Sequence, residues 1–410
     1  MAKYAYLTCE LKSRDFDSRL LIAAHLLKRG VTVVVGQLWS MLAGAHHAPK
    51  GVFLFKTANN IQIGLAEHVK AWGHKAVFMD EEALALVSPY LMRRIVPPKA
   101  LQVADAFLFQ NRMHRDVLGG QGPLVGSPRV DLLRNHRGLH AADVAACTRA
   151  GRYVLINTNY GIHNSANGPP EVQFNVARTV GMFEDETEEG RAYARSWFET
   201  ERINMLAMHE LVQRLQGQLG DRRLVIRPHP TENAKSWQQY AGAEVITESP
   251  PVPWLLGADL VVHSNSTTGL EAALLGRPAL NLNPAPVSVF SQTFASNAAA
   301  FQAPTPEAAA ALIAQVMSGG APPGNDEWVP EFPENSADLI AEALAPFMPD
   351  AGELARWDRL QRTDAQLKKF TVSTDEAISR VNLFLSGAGA PKTKMSVLDD
   401  SLFMLAPDNG

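Results

Sequence analysis

At 410 residues the chain is long enough for two domains of ordinary size, and 46% hydrophobic with 20% charged residues is the composition of a globular protein, not of a fibrous, disordered or membrane-embedded one. A net charge of −4 gives no field that would attract nucleic acid, and two cysteines, Cys9 and Cys147, exclude a disulfide framework and fit a reducing compartment. The opening MAKYAYLTCELKSRD becomes charged too soon for a signal peptide, and no apolar run approaches the ~20 residues that span a bilayer; a cytoplasmic protein is expected, with peripheral contact at the inner face of the membrane left open.

In chain order, Tyr4–Thr8 reads as a strand, Glu10–Asp17 as a polar loop, Ser18–Lys28 as an amphipathic helix and Val31–Val35 as a second strand, the opening of a doubly wound sheet. Gly51–Phe55, Lys75–Met79, Ala106–Leu108 and Pro123–Val125 read as further strands, with a helix over Ile63–Trp72. Arg134–Ala150 reads as a polar helical bridge into a second unit. There Tyr153–Ile156, Leu224–Ile226, Ala243–Ile246, Leu260–Val262 and Ala279–Leu282 are strands, and Ala192–Leu219 and Thr305–Met317 are helical. Pro322–Pro333 reads as a linker, Ala337–Leu344, Asp350–Gln366 and Ala377–Leu385 as helices, and the stretch from Gly387 as a mobile tail. The expected fold class is α/β, with Rossmann-like units over 1–140 and 141–325, a helical segment over 326–386 and the tail over 387–410.

Two stretches of the second unit carry the chemistry. Ala258–Pro278 runs from a buried β-branched strand into Ser264-Asn265-Ser266-Thr267-Thr268 and then a helix from Gly269, with Thr268 and Glu271 matching a capping box. A helix N-terminus has unpaired N–H groups and a favourable dipole for an anion, although a well-capped strand-to-helix turn would read the same. Arg222–Pro230, RRLVIRPHP, places Arg227 and His229 at the end of another buried strand, where open α/β sheets bind ligands. Arg227 offers bidentate geometry, and Pro228 and Pro230 aim His229. Ser264, Asn265, Ser266 and Thr267 would complete a phosphate shell. Glu271 would either accept ribose hydroxyls or close the cap. A nucleotide is the most economical ligand.

Polar residues also follow most strands elsewhere. Glu10, Glu81, Glu82 and Asp131 are candidates for a catalytic base or nucleophile, with His229 beside the phosphate. Capping roles at helix starts would explain the same acids. Lys12, Arg14, Lys56, Arg129, Asn157 and Asn159 are candidate substrate contacts. Asp15-Phe16-Asp17 matches a D-x-D pattern that three residues often match by chance. Zinc spacings, a Walker loop and a G-x-G-x-x-G fingerprint are absent from the sequence, so neither a metal nor a cofactor is expected.

Six motifs occur in the order seen in bacterial surface carbohydrate biosynthesis proteins: Glu10-Leu11-Lys12-Ser13-Arg14-Asp15, Asp80-Glu81-Glu82, Gly126-Ser127-Pro128-Arg129-Val130-Asp131, Leu155-Ile156-Asn157-Thr158-Asn159, Arg227-Pro228-His229-Pro230 and Ser264-Asn265-Ser266. Over roughly residues 4 to 285 the chain resembles the retaining β-Kdo glycosyltransferases of that group. The resemblance implies a GT-B architecture, two Rossmann-like domains facing across a cleft, and a CMP-Kdo donor. It assigns His229 with Pro230, and Ser264 with Ser266, to holding CMP, and implies double displacement through a carboxylate that no motif places. Ser127 stands where Asn is commoner in that group, and Tyr160 where Phe is. The expected function is transfer of Kdo or a related acidic sugar from a CMP donor to a surface polysaccharide or lipopolysaccharide. The expected partners are a nucleotide sugar and a glycan or glycolipid acceptor, with no nucleic acid. The alternatives are a GT-B enzyme using a UDP-sugar, as transferase or epimerase, and a non-catalytic polysaccharide assembly partner.

Overall fold

The computed structural model describes residues 2–81, 84, 89–179, 183, 186–285, 295–320 and 332–408. The chain forms two compact units: Met1–Leu84 with Ile95–Leu132 and Glu331–Gly410, and Ala85–Arg94 with Leu133–Pro330. Both hold parallel, doubly wound, Rossmann-like sheets, so the fold class is α/β as the strand pattern implied.

In the first unit β1 (Ala2–Cys9), β2 (Val31–Gln37), β3 (Val52–Phe55), β4 (Lys75–Met79) and β5 (Ala106–Leu108) lie in the order β2-β1-β3-β4-β5, all parallel. Every residue of β2 and β3 is buried, which is why these strands read as unbroken apolar runs. An aromatic layer crosses the sheet, Tyr6 stacking on Phe53 at 4.4 Å and Phe55 meeting Phe78 at 5.4 Å. The first helix, Lys12–Lys28, starts almost directly after β1, so the expected polar loop over Glu10–Asp17 is mostly helix. Asp15 is the reason. Its Oδ2 accepts the N–H groups of Glu10 and of the N-cap residue Leu11, both at 2.8 Å, reaching back from the first turn as the acid of a capping box does.

The C-terminal part departs furthest from expectation. The supposed mobile tail is a hairpin, β13 (Thr393–Asp399) and β14 (Leu402–Pro407), and β14 pairs antiparallel with β2 at the sheet edge. Leu402, Phe403 and Leu405 are buried there, an apolar set that the surrounding Gly, Ala, Pro and Lys residues mask in the sequence. Gly36 admits this strand: its φ is 146°, and a Cβ would stand 2.2 Å from the Ser401 carbonyl oxygen. Asp350–Gln366 is not a helix. Asp350–Ala351 (β12) pairs with β1, and the regular helix begins at Asp364. Between them Trp357 lies against Gly44 and donates its Nε1–H to the Ser40 carbonyl at 3.1 Å. The expected helical segment is thus folded into the first unit, with Glu376 of the Thr374–Ala388 helix paired to Lys12 at 2.7 Å. Pro123–Val125 forms only a bridge, Leu124 to Phe109. Most of the expected linker over Pro322–Pro333 lies outside the described residues.

In the second unit β6 (Tyr153–Asn157), β7 (Arg223–Arg227), β8 (Ala243–Val245), β9 (Leu260–His263), β10 (Ala279–Leu282) and β11 (Phe301–Ala303) follow the order β11-β10-β9-β6-β7-β8, all parallel. This is the Rossmann order, with the reversal between β6 and β9. The helices Glu188–Leu215 and Pro306–Met317 pack Met208, Leu211, Leu215 and Ile313 onto Val154, Ile156, Ile226 and Val262. Among the described residues no helix is long and apolar enough to cross a membrane.

Candidate functional site

The order of the second sheet brings the two motifs together. β7, β6 and β9 are neighbours, so the strand ends at Arg227, Asn157 and His263 span two inter-strand spacings, about 10 Å. The segment leaving β6 binds both sides. Thr158 donates its N–H to the Arg227 carbonyl at 3.2 Å and its hydroxyl to Glu232 at 2.6 Å, and Asn159 Nδ2 donates to the Asn265 carbonyl at 3.4 Å. Asn157 sits between them. It is 3% exposed, and neither atom of its amide has a hydrogen-bond partner among the described residues. An orphaned buried amide is costly, and a polar ligand or an ordered water supplies the missing bonds.

On the β7 side, Arg227 is half-buried and donates Nη2–H to the Ser249 carbonyl at 2.6 Å. Burial lowers its pKa, opposed in part by Cys147 and Glu271. His229 is exposed. Its Nδ1 accepts the Thr231 N–H at 3.3 Å and lies 2.8 Å from the Thr231 hydroxyl, which makes Nε2 the protonated nitrogen of the neutral ring. An N–H donor on an exposed ring suits a phosphate oxygen. Beneath it lies Glu232, 5% exposed, which accepts the His229 N–H (3.0 Å), the Thr158 hydroxyl, Asn164 Nδ2 (2.8 Å) and Trp237 Nε1 (3.2 Å).

On the β9 side the two serines have opposite roles. Ser264 is buried and its hydroxyl donates inward to the Leu282 carbonyl at 2.6 Å while accepting from Tyr160 at 3.1 Å. Its one proton is committed to the fold. Ser266 is the N-cap of the Thr267–Leu274 helix and accepts from the Thr268 N–H (3.4 Å) and hydroxyl (3.0 Å), leaving its own proton to donate. The expected Thr268–Glu271 capping box is therefore replaced by a cap two residues earlier. Asn265 adopts φ 49°, a left-handed conformation held by carboxamides: its N–H meets Asn281 Oδ1 at 2.9 Å, its Nδ2 meets Asn283 Oδ1 at 3.4 Å, and Asn297 Nδ2 meets its Oδ1 at 2.6 Å.

His263 completes this turn. It is fully buried, and burial holds its pKa down at about 3, so the ring is neutral; its Nδ1 accepts the Ser266 N–H at 3.3 Å. The ring lies against Gly269, where a Cβ would stand 2.1 Å from Nε2. Gly269→Ala is accordingly expected to cost about 1–3 kcal/mol by overpacking, and His263→Ala in the same chain should recover part of it. Chemical denaturation of the single and double variants checks this; additive losses would show that ring and glycine are not in contact.

Beside the β6–β9 reversal is a cavity of ≈ 50 Å³ lined by Asn159, Trp197, Thr200, Glu201, Asn204 and Ser264, among others. Neither His229 nor Ser266 lines it. Four of these residues, Trp197, Thr200, Glu201 and Asn204, come from the Glu188–Leu215 helix, whose stripe of Met208, Leu211 and Leu215 continues toward its N-terminus as Asn204 and Glu201. Polar residues at core positions of an apolar stripe are the signal by which the sequence marks them. Sequence reasoning missed Glu201, Asn204, Glu232 and His263.

The candidates of the first unit also gather at strand ends, on either side of the β1–β3 reversal. Lys56, 1% exposed, lies 3.5 Å from Glu10 and 3.2 Å from Asp15, and Glu10 also accepts from Gln62. Burial alone would raise the Asp15 carboxyl, but Lys56, Arg14 and the two N–H groups hold it below its ordinary range. That fully buried position removes Asp15-Phe16-Asp17 as a surface metal pair. Glu81 pairs at 2.6 Å with Arg19, itself fully buried, and burial together with Asp15 pushes its carboxyl upward. The structure does not bring the others into this group. Asp131 accepts the Ser336 N–H at 2.6 Å at the start of the Ser336–Leu344 helix, Arg129 lies on the same Pro128–Asn135 helix as Asp131, and Lys12 is turned to Glu376. Glu82 lies outside the described residues.

No protein-family model matches the chain. No curated protein matches it either. Among solved structures it is similar to UDP-GlcNAc 2-epimerase of Methanocaldococcus jannaschii, in complex with UDP-GlcNAc and UDP, at 10% identity over 84% of this chain and 100% of that one, with a TM-score of 0.46. The Neisseria meningitidis UDP-GlcNAc 2-epimerase bound to UDP-GlcNAc gives 10% identity, 84% and 100% coverage and 0.45. The wall teichoic acid polymerase TagF gives 9%, 94% and 89%, and 0.44. At these scores the likenesses carry no functional weight.

Proposed function

We propose that the chain is a GT-B-type glycosyltransferase whose second unit holds a nucleotide-activated sugar. One observation carries this reading: the strand that ends at the orphaned Asn157 amide lies between the strand leading to Arg227 and His229 and the strand leading to Ser266, at the reversal point of a Rossmann-ordered sheet. A CMP donor fits the charge, because one guanidinium, one imidazole N–H and one helix N-terminus can offset a single phosphodiester without a metal ion. The ordered motifs favour Kdo or a related acidic sugar as the group transferred and a surface glycan or glycolipid as acceptor. Glu10 and Glu81 are the first unit's candidates for acid–base work, Glu81 because its raised pKa suits a proton donor.

Calorimetry with CMP and UDP tests the reading. The wild-type chain should bind CMP, and His229→Ala should weaken it at least about tenfold, the value of one charge-assisted hydrogen bond. Equal binding by the variant rejects the site. A preference for UDP selects a UDP-sugar enzyme instead.

A further inference from the structure

The cavity beside Ser264 and Asn265 has a chemical bias of its own. Glu201 directs Oε1 at the N–H groups of Ile162 (2.7 Å) and His163 (2.9 Å), while Oε2 has no hydrogen bond among the described residues. Asn204, 2% exposed, donates Nδ2–H to Asn283 at 3.3 Å and leaves Oδ1 without a partner among the described residues. Two nearby donors are already engaged, the Tyr160 hydroxyl with the Asn204 carbonyl and Ser264 and the Ser264 hydroxyl with Leu282, while the Thr200 hydroxyl also lines the wall. The pocket thus offers two unmatched acceptors, one of them on a carboxyl that disfavours anions. Phosphate and carboxylate would meet Glu201 head-on, whereas hydroxyl or amide N–H groups would satisfy both acceptors. At ≈ 50 Å³ it has room for about four waters, which suits one arm of a sugar and not a nucleobase. Trp197 on its wall supplies a flat apolar face of the kind that sugar rings pack on.

We infer that this pocket receives hydroxyl groups of the sugar carried by the donor, and that Glu201 and Asn204 determine which sugar is accepted. The inference rests on the nucleotide-sugar reading above. Ser264 and Asn265 line the pocket and Ser266, the next residue, presents the free hydroxyl, so a group attached to a phosphate at Ser266 lies one residue from the pocket. An acidic sugar would then enter with its hydroxylated arm, its carboxylate left outside.

The test compares, by calorimetry at pH 8, CMP-Kdo with CMP and UDP-GlcNAc with UDP on the full chain. One sugar nucleotide should bind more tightly than its bare nucleotide. Glu201→Gln, which keeps the two backbone bonds but turns an acceptor into a donor, should remove that increment, about tenfold, and leave the bare nucleotide within about twofold. An increment that survives in Glu201→Gln, or no increment in either pair, overturns the inference while the nucleotide site stands. If no nucleotide binds at all, the functional reading falls. Free Kdo and N-acetylglucosamine are then titrated by tryptophan fluorescence: a response lost in both Glu201→Gln and Trp197→Phe upholds a sugar pocket, and a flat wild-type response overturns it.

Discussion

Glu232→Ala is expected to lower the unfolding free energy by about 4 kcal/mol and to abolish tight nucleotide binding together with it. The carboxylate accepts four hydrogen bonds, from the His229 N–H, the Thr158 hydroxyl, Asn164 Nδ2 and Trp237 Nε1. Deleting it strands four buried or half-buried donors, each worth about 1–3 kcal/mol when unsatisfied; water entering the space offsets part of that. The loss is more than local. Trp237, fully buried, stacks on His209 at 4.1 Å, so one end of the network is anchored in the core under the sheet. The other end is the backbone of His229 and the segment leaving β6. Glu232→Gln should lose about half as much, because its NH₂ group opposes two of the donors while one oxygen still accepts. Urea unfolding at pH 7 reads the stability, and calorimetry with CMP reads the site. A change below about 1 kcal/mol in the alanine variant would show that the four bonds do not hold the turn.

Much of this was legible in the sequence, and the parts that were not share a cause. The central parallel strands of both units, and the neighbouring ends of the strands that lead to Arg227 and to the serine turn, follow from buried runs that end in polar residues. What a linear reading cannot show is where a polar group sends its hydrogen bonds. Ser264 and Ser266 look alike in sequence, yet one is bound to Leu282 and only the other keeps a proton to donate. Asp131 reads as a candidate acid, and its partner is the Ser336 N–H, 205 residues away. Glu232 stands in the sequence as one of three polar residues, Thr231-Glu232-Asn233, after the His-Pro pair, and its role depends on Thr158 and Asn164 from a distant segment. The C-terminal hairpin was missed for a different reason. Leu402, Phe403 and Leu405 are a short apolar set whose burial depends on an edge of β2 and on Gly36, neither of which lies near them in the chain.

The pH dependence of Glu201 separates a sugar-binding acid from a structural one. Its carboxyl is lifted from 4.5 to about 7, first by burial and only partly relieved by the N–H groups of His163 and Ile162. The folded state therefore holds this proton more tightly than the unfolded state. Between pH 4.5 and 7 the folded chain binds more protons, so its stability falls as pH rises through that window, and above it the full penalty of a buried anion remains. The gap corresponds to about 3 kcal/mol. Glu201→Gln carries no charge at any pH and keeps an oxygen for both N–H groups. At pH 8 it should be more stable than the wild type by about 3 kcal/mol, and near pH 4.5 the two should unfold alike. The same variant should bind the sugar nucleotide less well at pH 8, where the wild-type carboxylate is the acceptor the sugar needs. Stability and affinity then move in opposite directions for one isosteric change, the pattern of a residue kept for function against the interest of the fold. Denaturation at pH 5 and pH 8 measures the first effect, and a stability difference independent of pH would show that Glu201 does not titrate in this range.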